Sequence, residues 1–352
     1  MKYSAKVEKL DGSKVNVLVT VASKDFETLL EAAKTKVLSE AKLNGFRDGK
    51  VPYEAFIKSY GEFPIRQEMG YICVDQTYVQ VIIGEKIEAI GKPEIAILKV
   101  TPGEDFEYQI TTDVLPKVEV GQYKKYHKEF ELEKVEEAKE DEVTDALEEL
   151  RRMRIVKSES GEETLPELDE KFLKSVGDFK TVEDLKKRIS DNITNEKKWK
   201  SEEKRKGLIF EKIISDTKTE TPNSLVENEL LKIEDRIKGD LAQMGVSFED
   251  YLKHMKKTLQ EWKESEKKTA EKNVILQLAL MEIAKKEDIK VSAETVKNEV
   301  AHLMAHYKDI DVERATAYTE EKMTNSLVAE FLVNGKVPDE KEFFGSHEGH
   351  NH

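Results

Sequence analysis

Residues 45–52 read Gly45-Phe46-Arg47-Asp48-Gly49-Lys50-Val51-Pro52. Glycines at 45 and 49 allow backbone angles that other residues avoid, so the segment can turn tightly and stand exposed. An aromatic ring and two cations then sit at its tip. Phe46 can insert into an apolar groove, Arg47 can fork two charged hydrogen bonds onto an oxyanion, and Lys50 can act as a point charge. Such a tip suits a protein surface and RNA phosphates alike. The other reading is an ordinary connection between two helices, and spacing alone leaves both open.

The remaining chemistry-bearing groups form no catalytic constellation. His302 and His306 stand one helical turn apart, but no intervening glutamate or third ligand supports a metal site, and a plain helix face accounts for them. His347, His350 and His352 lie in a Gly-, Ser- and Asn-containing tail that reads as unstructured. No phosphate-cradling glycine loop and no nucleophile elbow occurs. Cys73 is the single cysteine, so neither an internal disulfide nor a cysteine zinc site can form. It lies in the apolar run Tyr71-Ile72-Cys73-Val74 and is expected as an inert buried thiol.

The elements that must position the loop are legible. Residues 3–10 and 14–22 alternate apolar and polar around Asp11-Gly12, a hairpin pattern, with Val15, Val17, Val19 and Val21 on one face. Residues 24–40 change to helical spacing through Phe26, Leu29, Leu30, Ala33 and Val37. After the loop, helical spacing runs from Tyr53 to Ile90 with breaks near Gly61 and Pro64. Strands over 94–100 and 106–114 would complete a small α+β domain.

From Pro116 to about Glu137 the chain lacks helical periodicity and is expected to be extended, followed by a helix to Met153. Polar residues 155–165 lead to an almost wholly helical region. Thr181 and Ser247 each precede an aspartate by three residues, as in capping boxes, and Thr221-Pro222 predicts a hydroxyl cap before a first-turn proline. Stretches 181–217 and 248–286 each read as one helix with a strongly polar segment. A helix polar all round usually bridges through solvent, which predicts an elongated all-α body with protruding arms. The alternative is one long coiled-coil pair.

The chain has 352 residues, of which 37% are charged and 38% hydrophobic, with a net charge of −14. That charge argues against broad affinity for nucleic acid or anionic membrane. Residues 1–58 hold 11 basic against 8 acidic residues and are the one mildly basic stretch. The first residues lack the apolar core of a secretory signal, and no apolar run reaches the ~18–20 residues of a membrane span, so a cytoplasmic location is expected.

The 45–52 motif, following a hairpin and a helix, resembles the ribosome-docking signature of bacterial trigger factors. Tyr60-Gly61, Ile65-Arg66-Gln67, Gly103-Glu104-Asp105-Phe106, Pro116-Lys117-Val118-Glu119 and Leu165-Pro166-Glu167-Leu168-Asp169 match in order and spacing. The resemblance covers about 1–154 and 165–335. It implies an α+β ribosome-binding domain (1–114), an extended linker and helix (115–165), a helical substrate-cradling domain with arms (166–335) and a tail (336–352). The implied partners are the large ribosomal subunit, through protein and rRNA at the tunnel exit, and unfolded or nascent polypeptides. No ATP, cofactor, metal or membrane is implied, and a homodimer off the ribosome stays open.

By position, Phe46 and Arg47 are the implied principal contacts, Gly45 and Gly49 shape the loop, and Lys50 and Pro52 flank it. Asp48 departs from the family, where a basic residue is common. The larger departure is that only residues 155–164 stand where the family usually inserts an FK506-binding-type prolyl isomerase domain. Ten residues are too few for a domain, which needs roughly 50. The implied function is therefore ATP-independent holding of nascent chains without catalysis. A ribosome-independent cytosolic holding chaperone and a peptidyl-prolyl isomerase are the alternatives. Client contacts are expected at adaptable apolar residues, Met244, Phe248 and Met255 on the first arm and Leu303, Met304 and Tyr307 on the second.

Overall fold

The computed structural model describes residues 1–157, 163–306 and 310–345, which form two compact units interleaved along the sequence: 1–119 with 217–279, and 120–216 with the residues from 280 onward. This grouping by packing differs from the linear division that composition suggests.

The first unit contains a four-stranded antiparallel sheet ordered β1-β2-β4-β3, with β1 Tyr3–Leu10, β2 Lys14–Val21, β3 Ala89–Lys99 and β4 Phe106–Val114. Alternation along β2 buries Val15, Val17, Val19 and Val21, as the hairpin pattern predicts, and β4 adds Phe106, Tyr108 and Ile110 to the same core. Helices α1 (Ser23–Phe26), α2 (Leu30–Glu40), α3 (Tyr53–Tyr60) and α4 (Phe63–Gly84) accompany the sheet. Phe26 stacks on Phe106 with ring centroids 4.5 Å apart. The hydroxyls of Thr77 and Tyr108 share a 2.7 Å hydrogen bond in the core. Each large side chain so buried contributes about 1.5–3 kcal/mol.

The predicted helix to Ile90 ends at Gly84. Lys86 takes a positive φ of 53°, and β3 starts at Ala89, five residues before the expected strand. Gly91 lies at φ 72° within a register shift between Ile90 and Glu94, the bulge that masks this strand's alternation.

The same unit holds α9 (Asn223–Gln243), α10 (Phe248–His254) and the first part of α11 (Leu259–Glu287). Val226, Leu230 and Ile233 pack with Trp262, Ala270, Val274 and Leu278. Ser247 caps α10 as predicted, its Oγ accepting from the Asp250 N–H at 3.1 Å. The stretch read as one helix from 248 is broken, because Lys256 adopts φ 53° and Thr258 then starts α11 with Glu261 in a reciprocal capping box. Thr221 gives no cap to α9. Pro222 occupies the cap position, and the Ser224 N–H donates instead to Asp113 Oδ2 from β4 at 2.9 Å.

The second unit holds α5 (Tyr126–Glu129), α6 (Glu140–Arg152), the short pair β5 (Val156–Lys157) and β6 (Glu163–Thr164), α7 (Glu170–Val176), α8 (Val182–Asp216), α12 (Ala293–His306), α13 (Val312–Asn334) and α14 (Glu340–Gly345). Val143 and Leu147 of α6 pack on Phe172, Leu173, Leu185 and Ile189. Thr181 and Asp184 form the predicted box, with both N–H bonds at 3.1 Å.

Two expectations are corrected here. The segment after Pro116 contains a helical turn at Tyr123–Lys125 and α5, and the polar middle of α8 docks this segment instead of bridging through water. Arg205 donates to the carbonyls of Phe130, His127 and Val333 at 2.7, 2.8 and 2.9 Å, while Lys197 and Lys204 pair with Glu142 and Glu133, each at 2.6 Å. The expected unstructured tail from residue 336 is also structured as far as 345: α14 begins at Glu340, whose carboxylate accepts the Ser292 N–H at 3.1–3.2 Å. The histidines at 347, 350 and 352 lie outside the described residues.

Candidate functional site

Residues 45–52 connect α2 to α3, and the loop is anchored at both ends. Ala41 and Val51 are buried in the sheet core, and Leu43 packs against it. Three backbone bonds shape the turn: Phe46 N–H to Leu43 O at 3.0 Å, Lys50 N–H to Arg47 O at 2.9 Å, and Gly49 N–H to Ala41 O at 3.4 Å. Tyr60 of α3 braces the base by donating its hydroxyl to Lys42 O at 2.8 Å.

Both glycines are structurally required, for different reasons. Gly45 sits at φ 93° in open space. Gly49 sits at φ 70°, and a Cβ there would stand 2.8 Å from the Ser39 carbonyl oxygen. The close approach seats the loop on the C-terminal end of α2. Phe46 is 43% exposed, and Arg47, Asp48, Lys50 and Pro52 are exposed with it. Asp48 Oδ2 stands 3.7 Å from Lys42 Nζ, a partner that the sequence pattern gave no sign of. Among the described residues no carboxylate pairs with Arg47 or Lys50. An aromatic ring between two unpaired cations is therefore offered to an external partner.

The expected client residues divide. Met244 is 74% exposed and Met255 is exposed too, whereas Phe248 is partly buried edge-on against Trp262, with centroids 5.4 Å apart. Leu303 is partly buried, Met304 is exposed, and Tyr307 lies outside the described residues. Met304 lines a cavity of about 450 Å³ between α12 and α13, together with Val291, Val296, Val300, Val312 and Thr316. Only the spacing of Val296, Val300 and Met304 on α12 hinted at this groove. His302 is exposed, and among the described residues no cluster of three or more His, Cys, Asp or Glu is arranged to hold a metal. No described helix is long and apolar enough to cross a membrane.

Two family models match the chain, the bacterial trigger factor protein over residues 3–150 and its C-terminus over 181–340. The trigger factor of Clostridium botulinum (strain Kyoto / Type A2) is 25% identical, covering 96% of this chain and 97% of that protein. That alignment runs over 423 positions against 352 residues here, so at least 71 of them (423 − 352) have no counterpart in this chain. The trigger factor of Halothermothrix orenii is 24% identical over 85% of this chain and 89% of its own length. A solved trigger factor chaperone, described for promiscuous substrate recognition in folding and assembly activities, matches 95% of this chain and all of its own. Its TM-score is 0.55 at 15% identity. The prolyl isomerase region is absent from the chain, whose two flanking parts both match: this protein belongs to the bacterial trigger factor family.

Proposed function

We propose that this protein is a ribosome-associated chaperone that docks through residues 45–52 and holds emerging polypeptides without nucleotide hydrolysis or prolyl isomerisation. The observation that carries the reading is the exposed Phe46-Arg47 tip between two positive-φ glycines, fixed on a rigid helix end. Phe46 fills an apolar pocket of a protein at the tunnel exit, Arg47 pairs with a carboxylate or phosphate beside it, and Lys50 adds long-range attraction. Clients contact the exposed methionines Met244, Met255 and Met304 and the α12–α13 groove, where unbranched thioethers adapt to varied sequences. Catalysis is left out because only residues 151–180 separate the two matched regions, too short a span for a further domain. The setting is the cytoplasm.

Co-sedimentation with ribosomes tests the docking claim. Phe46→Ala/Arg47→Ala should cut binding by roughly thirtyfold or more, the loss of one buried interfacial anchor. Helicity and suppression of client aggregation should be unchanged. Wild-type sedimentation by that variant would refute the loop as the anchor.

A further inference from the structure

We propose that the end of α6 and the adjoining β5/β6 pair form a docking surface for cationic, apolar polypeptide segments. The inference rests on the chaperone reading and names a client class for a surface outside the groove and the methionines already described.

The residues converge from three places. Pairing of Val156 with Thr164 puts Ile155 and Leu165 at opposed positions just beyond the two-residue ladder. Arg151 Nε donates to Pro166 O at 2.9 Å and holds this second segment against the helix end. Met153, Ile155 and Leu165 are left 71%, 42% and 41% exposed. Beside them, Asp145, Glu148, Glu149, Arg152 and Met153 line a recess of about 550 Å³. Arg152 is committed to Glu148 at 3.7 Å, and among the described residues no cation pairs with Asp145 or Glu149.

Three apolar side chains beside two unpaired carboxylates select by charge as well as by burial. A client segment of lysine or arginine with leucine or aromatic residues can cover Met153, Ile155 and Leu165 while placing a cation on Asp145 or Glu149. An acidic segment of equal apolar content meets repulsion. The recess also sits where the aligned relatives carry residues that this chain lacks, so it is open here.

The test uses the full chain and fluorescein-labelled synthetic peptides of leucine, one tryptophan and lysine, or glutamate in place of lysine. Anisotropy titrations should show the lysine peptide binding about tenfold more tightly, the equivalent of two modest charge pairs. Asp145→Asn/Glu149→Gln should erase the preference, and Met153→Ser/Ile155→Ser should weaken both peptides. All four positions are exposed, and circular dichroism should report unchanged helicity. A charge variant that keeps the preference, or a Met153/Ile155 variant that binds like the parent, overturns the proposal. Dimerisation lost in the Met153/Ile155 variant without peptide discrimination would assign the surface to a second copy and overturn it equally. Aggregation suppression by the unaltered chain is read alongside. Its failure removes the chaperone reading, whereas its success with an overturning peptide result removes this surface alone.

Discussion

Asp113, at the end of β4, accepts the Ser224 N–H at 2.9 Å, so a carboxylate from the sheet caps a helix 111 residues later in the chain. The carboxylate is 9% exposed and also faces Lys14 Nζ at 3.7 Å. Nearby, Ser13 Oγ donates to Glu220 at 2.5 Å, and Gly91 leaves room for the Ser224 side chain. Asp113→Ala should therefore destabilise the protein by about 1–2 kcal/mol, the usual cost of a lost cap. Asp113→Asn, which can still cap, should lose much less. Urea unfolding midpoints of the two variants separate capping from the Lys14 pairing.

The two glycines of the loop should respond differently to alanine. Gly45→Ala meets only an unfavourable φ and should cost about 1 kcal/mol. Gly49→Ala adds a backbone clash at the Ser39 carbonyl, so the turn must shift. Thermal denaturation should rank Gly49→Ala as the worse, and only that variant should lose ribosome co-sedimentation strongly. Equal effects would mean that the loop does not depend on its seat against α2.

Acid should loosen the second unit at two tyrosine–carboxylate contacts. Lys124 and then Tyr123, whose hydroxyl donates at 2.6 Å, hold the Glu287 carboxyl below its ordinary range. Tyr126, at 2.6 Å, and then Lys212 do the same for Asp216. Each folded-state pKa lies below the unfolded value, so the stabilisation is complete above about pH 5 and is lost as pH falls through the folded values. Both phenols are shifted upward, first by burial and then by these same bonds, and stay protonated throughout. Tyr123→Phe/Tyr126→Phe should flatten part of the acid-side decline in urea midpoint and leave the neutral-to-alkaline slope up to pH ~9 alone.

What could be read ahead and what could not follow from the range of each interaction. The Thr181 and Ser247 caps were legible because donor and acceptor are three residues apart. The Asp113 cap was not, since nothing near Ser224 names its partner. Arg205 looked like part of a solvated charge run because its acceptors are carbonyls, which carry no residue identity. The break at Lys256 needs a non-glycine positive φ, a choice no local pattern announces. The docking loop was visible through its paired glycines and exposed aromatic, whereas the Lys42–Asp48 pair depends on how the turn folds back.

Cys73 offers a probe of global opening. It is fully buried on α4, and burial pushes its thiol up to about 11 despite the nearby Thr77 hydroxyl. Because the thiolate is the reactive form, iodoacetamide should leave the native protein unlabelled at neutral pH and modify it only as urea unfolds the core. Labelling that runs well ahead of the loss of helicity would show α4 opening on its own.

Asp48 sets the charge of the tip. Its pair with Lys42 joins two side chains that are 72% and 79% exposed, so removing it should cost the fold no more than about 1 kcal/mol. It does neutralise Lys42 and leaves Arg47 and Lys50 as the free cations. Asp48→Lys releases Lys42 and adds another cation, whereas Asp48→Asn only releases Lys42. If position 48 faces rRNA phosphate, ribosome affinity at low salt should rise in the order wild type, Asn, Lys. The slope of log affinity against log salt should steepen by roughly 0.7–0.9 for each phosphate newly contacted. A protein-only contact predicts a different pattern: little change with Asn, and weaker binding with Lys if the facing groove is basic. Flat affinities and slopes across all three variants would place position 48 outside the contact and leave Phe46 and Arg47 as the whole of the anchor.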